Sequence, residues 1–278
     1  MVAAGRGGFT LVEAIVALTL SSVLVILVSS VFLVQNRYFA LQMERTAAQD
    51  NARMVTEMVA SEIRSVTRGG VALAENKRLV VRSPMVMGVV CASTAGPTTT
   101  IHLDGGDAGV TAADVAGVAQ RNPLTGAWTY TDGVTWASVR QSGGTPAAAC
   151  RANGADTVEA YSHFINFSGT APALGTVVMF YRKVEYKFAA SGMTPGATAL
   201  FRGPYGGTLV EFATGMDATA QFQYRTTTAT YVTSVPPLSL ANVVAIRIQA
   251  MARRKPPTGG VADVTAGWAV NVFLRNIR

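Results

Sequence analysis

Histidine occurs only twice in 278 residues, as His102 and His163, and cysteine only twice, as Cys91 and Cys150. Charged side chains make up just 14% of the chain. Ser-His-Asp chemistry needs a histidine held by a carboxylate and facing a serine. His102 and Asp104 could supply two of those members, yet both equally suit a strand edge entering a turn. No glycine-rich loop followed by Lys-Ser or Lys-Thr occurs, so nucleotide hydrolysis by a P-loop has no support. Neither cysteine belongs to a C-x-x-C pair, the spacing that zinc sites use. The expectation is a chain without a catalytic residue, a metal or a cofactor. With few long charged side chains and abundant Gly, Thr and Ala, a helical bundle is disfavoured. Short strands joined by turns fit better.

Against this sparse background one stretch stands out. Residues 14–34 hold no charge and no proline and consist mostly of Val, Leu, Ile and Ala, broken by Thr19 and two serine pairs. As a helix this run would reach about 31 Å, the thickness of a bilayer core. One carboxylate, Glu13, lies at its start. An ionised group at bilayer depth costs roughly 2.5–3.5 kcal/mol on insertion scales. Glu13 therefore either snorkels to the interface or awaits a positive partner. The segment before the run carries Arg6 and is too short for the apolar part of a secretory signal peptide. Positive charge there favours a cytoplasmic N-terminus, a bias weakened by Arg37 beyond the span.

Gly8-Phe9-Thr10-Leu11-Val12-Glu13, followed by Ala14-Ile15-Val16-Ala17-Leu18, resembles the prepilin signal of type IV pilins and type II secretion pseudopilins. The resemblance implies that prepilin peptidase cuts between Gly8 and Phe9 and N-methylates Phe9. It also implies that Glu13 pairs with the terminal amine of a neighbouring subunit during filament assembly. An unprocessed signal-anchor helix is the alternative.

Past residue 34 the polarity changes while the helical pattern continues, with no proline or glycine in residues 35–66. Val55, Met58, Val59, Glu62, Ile63 and Val66 keep one largely apolar face, and Arg53, Glu57, Arg64 and Arg68 take the polar side. Gly69-Gly70 supplies a stop, so a single helix of about 87 Å is expected from Thr10 to about Thr67. This amphipathic stretch resembles the region after the anchor in PilW/PulJ-type minor pilins and J-type minor pseudopilins. The absence of a proline in the membrane run departs from major pilins.

From Lys77 onward short alternating runs predict strands at residues 78–82 and 85–91, on either side of Ser83-Pro84, and at residues 98–103. The Gly/Ala/Asp-rich stretch 104–126 reads as a surface loop. Within it Asp104 and Asp107, with Asp114, are weak calcium candidates whose spacing does not match an EF-hand, and such residues also solvate turns. Trp128-Thr129-Tyr130 and Val134-Thr135-Trp136 flank Thr131-Asp132-Gly133 as a hairpin. Their aromatics suit hairpin or core packing, or else an exposed adhesive patch. Residues 141–148 read as a second loop. In residues 177–188 Val178, Phe180, Val184, Tyr186 and Phe188 share one face, interrupted by Arg182, opposite Tyr181, Lys183, Glu185 and Lys187. Further strands are expected at residues 209–212, 220–225, 243–251 and 268–274. Cys91 and Cys150 in an oxidising compartment suggest one disulfide, closing a loop of about 60 residues for around 4 kcal/mol. Two unpaired buried thiols are the other reading.

The formal charge is +7, but basic residues are scattered apart from Arg253-Arg254-Lys255. Beside Pro256-Pro257 that triplet reads as a solvated loop, so DNA or surface binding has no specific support. The fold class expected is α+β: a long N-terminal helix carrying a mostly antiparallel β head, pilin-like. Residues 1–8 would be the leader, 9–34 the transmembrane and filament-core helix, 35–68 its amphipathic continuation and 69–278 the head. The order Leu209-Val210-Glu211, Ala220-Gln221-Phe222-Gln223-Tyr224, Val243-Val244-Ala245-Ile246-Arg247-Ile248 and Phe273-Leu274-Arg275-Asn276 again resembles the PilW/PulJ family. That resemblance implies a non-enzymatic minor pilin in the tip or initiating complex of a type IV pilus. Its partners would be other pilin and minor pilin subunits, prepilin peptidase, the inner-membrane assembly machinery and membrane lipid. It would sit in the inner membrane as a single-pass protein with a periplasmic head, and later in the pilus at the cell surface. The rivals are a minor pseudopilin of type II secretion, a membrane-tethered adhesion module, and a DNA-uptake pilin.

Overall fold

The computed structural model describes residues 10–93, 98–103, 114–133, 135–141, 161–166, 172–227, 230–254 and 263–275. Helix α1, Leu11–Ile63, is unbroken over 53 residues and about 80 Å long. All side chains of residues 11–39 are exposed. Farther along, Ala48, Ala52, Val55, Thr56, Val59, Ala60 and Ile63 recur at spacings of three and four and are buried against the sheet. Met58, expected on that face, is 46% exposed.

The helix stops four residues earlier than the glycines suggested. Arg64 caps it, and the chain then straightens so that residues 66–68 run beside the chain's last described residues. The Arg275 N–H donates to the Val66 carbonyl at 3.2 Å, and the Arg68 N–H to the Arg275 carbonyl at 3.2 Å. Gly69 (φ 85°) and Gly70 serve the following turn instead. A Cβ at Gly70 would stand 2.5 Å from a Val66 methyl.

The head is one sheet in which every strand pair is antiparallel. Its strands are β1 (Val71–Ala74), β2 (Arg78–Ser93), β3 (Thr98–Leu103), β4 (Gly117–Arg121), β5 (Trp128–Asp132), β6 (Thr135–Gln141) and β7 (Tyr161–Asn166). They continue as β8 (Val177–Ala190), β9 (Thr198–Pro204), β10 (Val210–Met216), β11 (Gln221–Arg225), β12 (Tyr231–Val232), β13 (Ala245–Arg254) and β14 (Val264–Phe273). The main path runs β12-β11-β13-β10-β9-β8-β2-β3-β7-β6, with β1 on β2, β14 on β13, and β4 joining β5 to β8. A short 3-10 helix, Pro237–Asn242, precedes β13.

Four expectations need correction. Residues 78–93 form one strand and not two. The Arg82 N–H donates to Gly70 at 2.7 Å on the side away from β8, so Pro84, two residues on, lacks a donor on that same side. There β1 has ended and β3 has not begun, so the ladder loses nothing. The stretch 104–126 is not all loop, because β4 lies within it and buries Val118 and Ala119. The hairpin forms between β4 and β5, whereas β6 pairs with β7. In its turn the Asn122 carboxamide oxygen accepts from the N–H groups of Leu124 and Thr125. Finally, Arg253 and Arg254 end strand β13, and Arg253 pairs with Asp263 across to the segment entering β14.

Strand β8 organises the head. On one side it pairs with β2 along most of its length; on the other it pairs first with β4 and then with β9. Arg182 sits exposed at the handover between those two partners. Tyr186 and Phe188 join the core under α1, while Met179 and Tyr181 are buried on the opposite face with Ala119, Trp128 and Tyr130.

Candidate assembly site

The N-terminal end of α1 is fixed by its own sequence. Thr10, in extended conformation (φ −77°, ψ 150°), is the N-cap. Its hydroxyl accepts from the Glu13 N–H at 3.3 Å. In return the Glu13 carboxylate accepts from the Thr10 N–H at 3.0 Å and from the Thr10 hydroxyl at 3.0 Å. This reciprocal capping box satisfies two donors that the first turn of a helix leaves open. The helix dipole further favours a carboxylate at this end. The Thr-x-x-Glu spacing that produces it is plain in the sequence, and reading Glu13 only as a lone charge overlooked it.

Beyond the cap, residues 14–36 carry no charge, and the helix is long and apolar enough to cross a membrane. The hydroxyls in this half close on the helix itself. Thr19 donates to the Val16 carbonyl at 2.9 Å, Ser22 to Thr19 at 2.8 Å and Ser30 to Leu27 at 2.8 Å. Inside a bilayer, such bonds would satisfy polar groups that no water can reach. Leu24, Phe32 and Phe39 are each more than 60% exposed. A rod of this kind demands lipid or other rods around it.

The lower half of α1 is also welded to the head by polar groups, among them Glu62, which sequence patterning placed on an apolar face. The Glu62 carboxylate accepts the Tyr186 hydroxyl and pairs with Arg202, whose Nη2 lies 2.8 Å and Nε 3.2 Å away. Burial, with the bond to Glu62 next, pushes the Tyr186 hydroxyl above the ordinary tyrosine range. Asn51 donates to the Thr214 carbonyl at 2.9 Å, and the Arg53 guanidinium lies 5.6 Å from the Trp268 ring centre. The Arg53–Glu57 spacing is not used as a pair; Glu57 meets Arg64 at 3.4 Å.

Where the helix ends, a second cluster fixes the turn. Asp132 meets Arg82 at 3.0 Å and Lys183 at 2.9 Å, and accepts the Tyr181 hydroxyl at 2.7 Å. Arg82 also donates to the carbonyls of Gly69 and Val71. Burial pushes the Asp132 carboxyl up, but hydrogen bonds from Arg82, Tyr181 and Lys183 outweigh it and hold the group well below the usual carboxylate range. Tyr130 packs edge-on against Tyr181 at 5.4 Å and bonds to Thr67. Trp128 and Tyr130 thus take the packing role, not that of an exposed patch.

The remaining candidates divide by position. Gly8, Phe9, Asp104, Asp107 and Cys150 lie outside the described residues. Cys91 falls on β2 at the register shift between Val90 and Ala92. His102 lies on β3 opposite Val89 and Ser162, and His163 on β7 opposite Ile101.

Residues 4–29 match a family described as the prokaryotic N-terminal methylation motif. Neither the curated proteins nor the solved structures contain a match to the chain.

Proposed function

We propose that this type IV pilin-like chain is a minor pilin, processed by prepilin peptidase between Gly8 and Phe9 and assembled through α1 into the tip or initiating complex of a type IV pilus. The observation that carries the reading is the uncharged, uncovered half of α1, with the methylation motif at its head and Glu13 as the first charge inside it. An apolar rod stores the subunit in the inner membrane and then packs beside sister rods, since burying its side chains is favourable in either setting.

In this reading cleavage would place a free amine at Phe9, one residue before the N-cap. The Glu13 carboxylate bonds through one oxygen to Thr10, which leaves its other oxygen for a neighbour's amine. Pairing two charges at bilayer depth relieves the cost of holding either alone. The axial register between neighbours would follow from that pair. The head, facing the periplasm, would contact other minor subunits, and Cys91 and Cys150 would be joined there by a disulfide. A minor pseudopilin of type II secretion would use the same parts and differ only in the machine that recruits it.

The test is incorporation. Glu13→Ala should leave cleavage and membrane insertion intact while lowering recovery in sheared filaments at least tenfold. Glu13→Asp should fall in between, because it keeps the charge but shortens the reach. Glu13→Ala incorporated at the wild-type level would remove the proposed pairing.

A further inference from the structure

Strand β14 pairs with β13 along all ten of its residues, from Val264 opposite Arg254 to Phe273 opposite Ala245, with no register shift. On its other side no described strand pairs with it. The Leu274 N–H donates to Val244 in the strand-entry segment at 3.0 Å. Backbone groups alternate sides along a strand, so those of Thr265, Gly267, Ala269, Asn271 and Phe273 point away from β13. All five residues are exposed. Two positions past Phe273 the same edge is already in use, where Arg275 exchanges hydrogen bonds with Val66 and Arg68. The edge is therefore open to an added strand, and among the described residues only its last step is filled by the chain itself.

Edge strands are ordinarily kept short or protected by charge, proline or a bulge. At other margins of the sheet β12 has two residues, β1 four, β5 five and β6 seven, against ten in β14. Val-Thr-Ala-Gly-Trp-Ala-Val-Asn-Val-Phe has none of these protections. We propose that β14 is a docking edge for an extended, uncharged segment of a different protein chain, ending in a carboxylate beside Arg275.

Two observations choose this occupant. A second copy of the chain pairing β14 with β14 antiparallel needs a two-fold axis normal to the sheet. Helix α1 lies across the sheet face, touching Trp268 of β14, Thr214 of β10 and Tyr186 of β8. That axis would reverse α1, and two copies anchored by α1 in one membrane cannot point opposite ways. This step rests on membrane anchoring by α1 and not on cleavage at Phe9. The second observation is charge. The strand is neutral, while Arg275 is exposed and Arg68 half-buried at its far end, and neither forms an ion pair among the described residues. Added strands gain affinity from main-chain hydrogen bonds, and flanking side chains select among them.

Amide exchange, resolved by residue, is compared between the full-length chain in its native membrane assembly and the same chain purified alone in detergent. The amides of Thr265, Gly267, Ala269, Asn271 and Phe273 should exchange at least tenfold more slowly in the assembly, and those of Ala266, Trp268 and Val270 equally in both. Ala269→Pro removes an outward N–H without touching the β13 ladder and should abolish the difference. Thr265→Pro, at the strand's start, repeats the test should Ala269→Pro unfold the head. Arg275→Glu should reduce the protection severalfold. Equal exchange of the outward amides in both preparations overturns the proposal, whether they are open throughout or already covered by the chain itself. So does cross-linking of β14 only to its own copy, or wild-type protection in both proline variants.

Discussion

Removing the Tyr186 hydroxyl or the Glu62 charge tests whether α1 is held to the head by polar contacts as well as by its apolar face. Tyr186 is 1% exposed, so its hydroxyl loses its charged acceptor with little solvent contact to replace it when Glu62 is changed. A hydrogen bond to a charged acceptor contributes about 1.5–3 kcal/mol. The Glu62 and Arg202 side chains are 36% and 29% exposed, so their ion pair adds only about 1 kcal/mol. Tyr186→Phe should therefore cost about 1.5–2 kcal/mol and Glu62→Gln about 2–3 kcal/mol. The double variant should cost about 1–1.5 kcal/mol less than the sum, because the same bond is counted in each single change. Urea unfolding of the full chain in detergent, followed by circular dichroism, measures all three. Glu62→Gln should also let Tyr186 ionise nearer the ordinary tyrosine value, visible as tyrosinate absorbance during an alkaline titration. Additive single effects, with a coupling below about 0.3 kcal/mol, would refute the latch.

Two further outcomes concern the Asp132 cluster and the apolar half of α1. The Asp132 carboxyl is depressed in the folded head, so its contribution is present above the ordinary carboxylate pKa, about 4, and is lost as pH falls through the folded value. Asp132→Asn should lower the urea midpoint at pH 7 and close the gap to wild type below pH about 4; a gap constant from pH 7 to 2 would contradict this. Val23→Arg places a charge mid-span at a cost of roughly 2.5–3.5 kcal/mol, which the surrounding apolar residues outweigh. It should stay in carbonate-washed membranes, whereas Val23→Arg with Leu27→Arg should be largely extracted; equal retention of both would count against a membrane span.

The parts of the fold that sequence displayed are those governed by local rules. An uncharged run needs no tertiary knowledge, and the alternation of Val184, Tyr186 and Phe188 announced a strand with one face on a core. The parts that stayed hidden depend on what comes to lie alongside. Tyr181 looked like part of the outer face of β8, yet it is buried among residues of β4 and β5. Pro84 looked like a strand break because the change of neighbours from β1 to β3 cannot be read from one strand. Glu62 looked misplaced on an apolar face, since its partners Tyr186 and Arg202 are more than a hundred residues away. At the N-terminus the signal is local but went unread: the Thr10–Glu13 spacing carries the cap, which reading Glu13 only as a lone charge overlooks.

Filament assembly through α1 depends first on what becomes of the chain's start. Intact-mass and fragment-ion spectrometry of the protein from its native membranes should find a chain beginning at N-methylated Phe9. A chain still bearing Met1, in cells whose prepilin peptidase is demonstrably active, would contradict it.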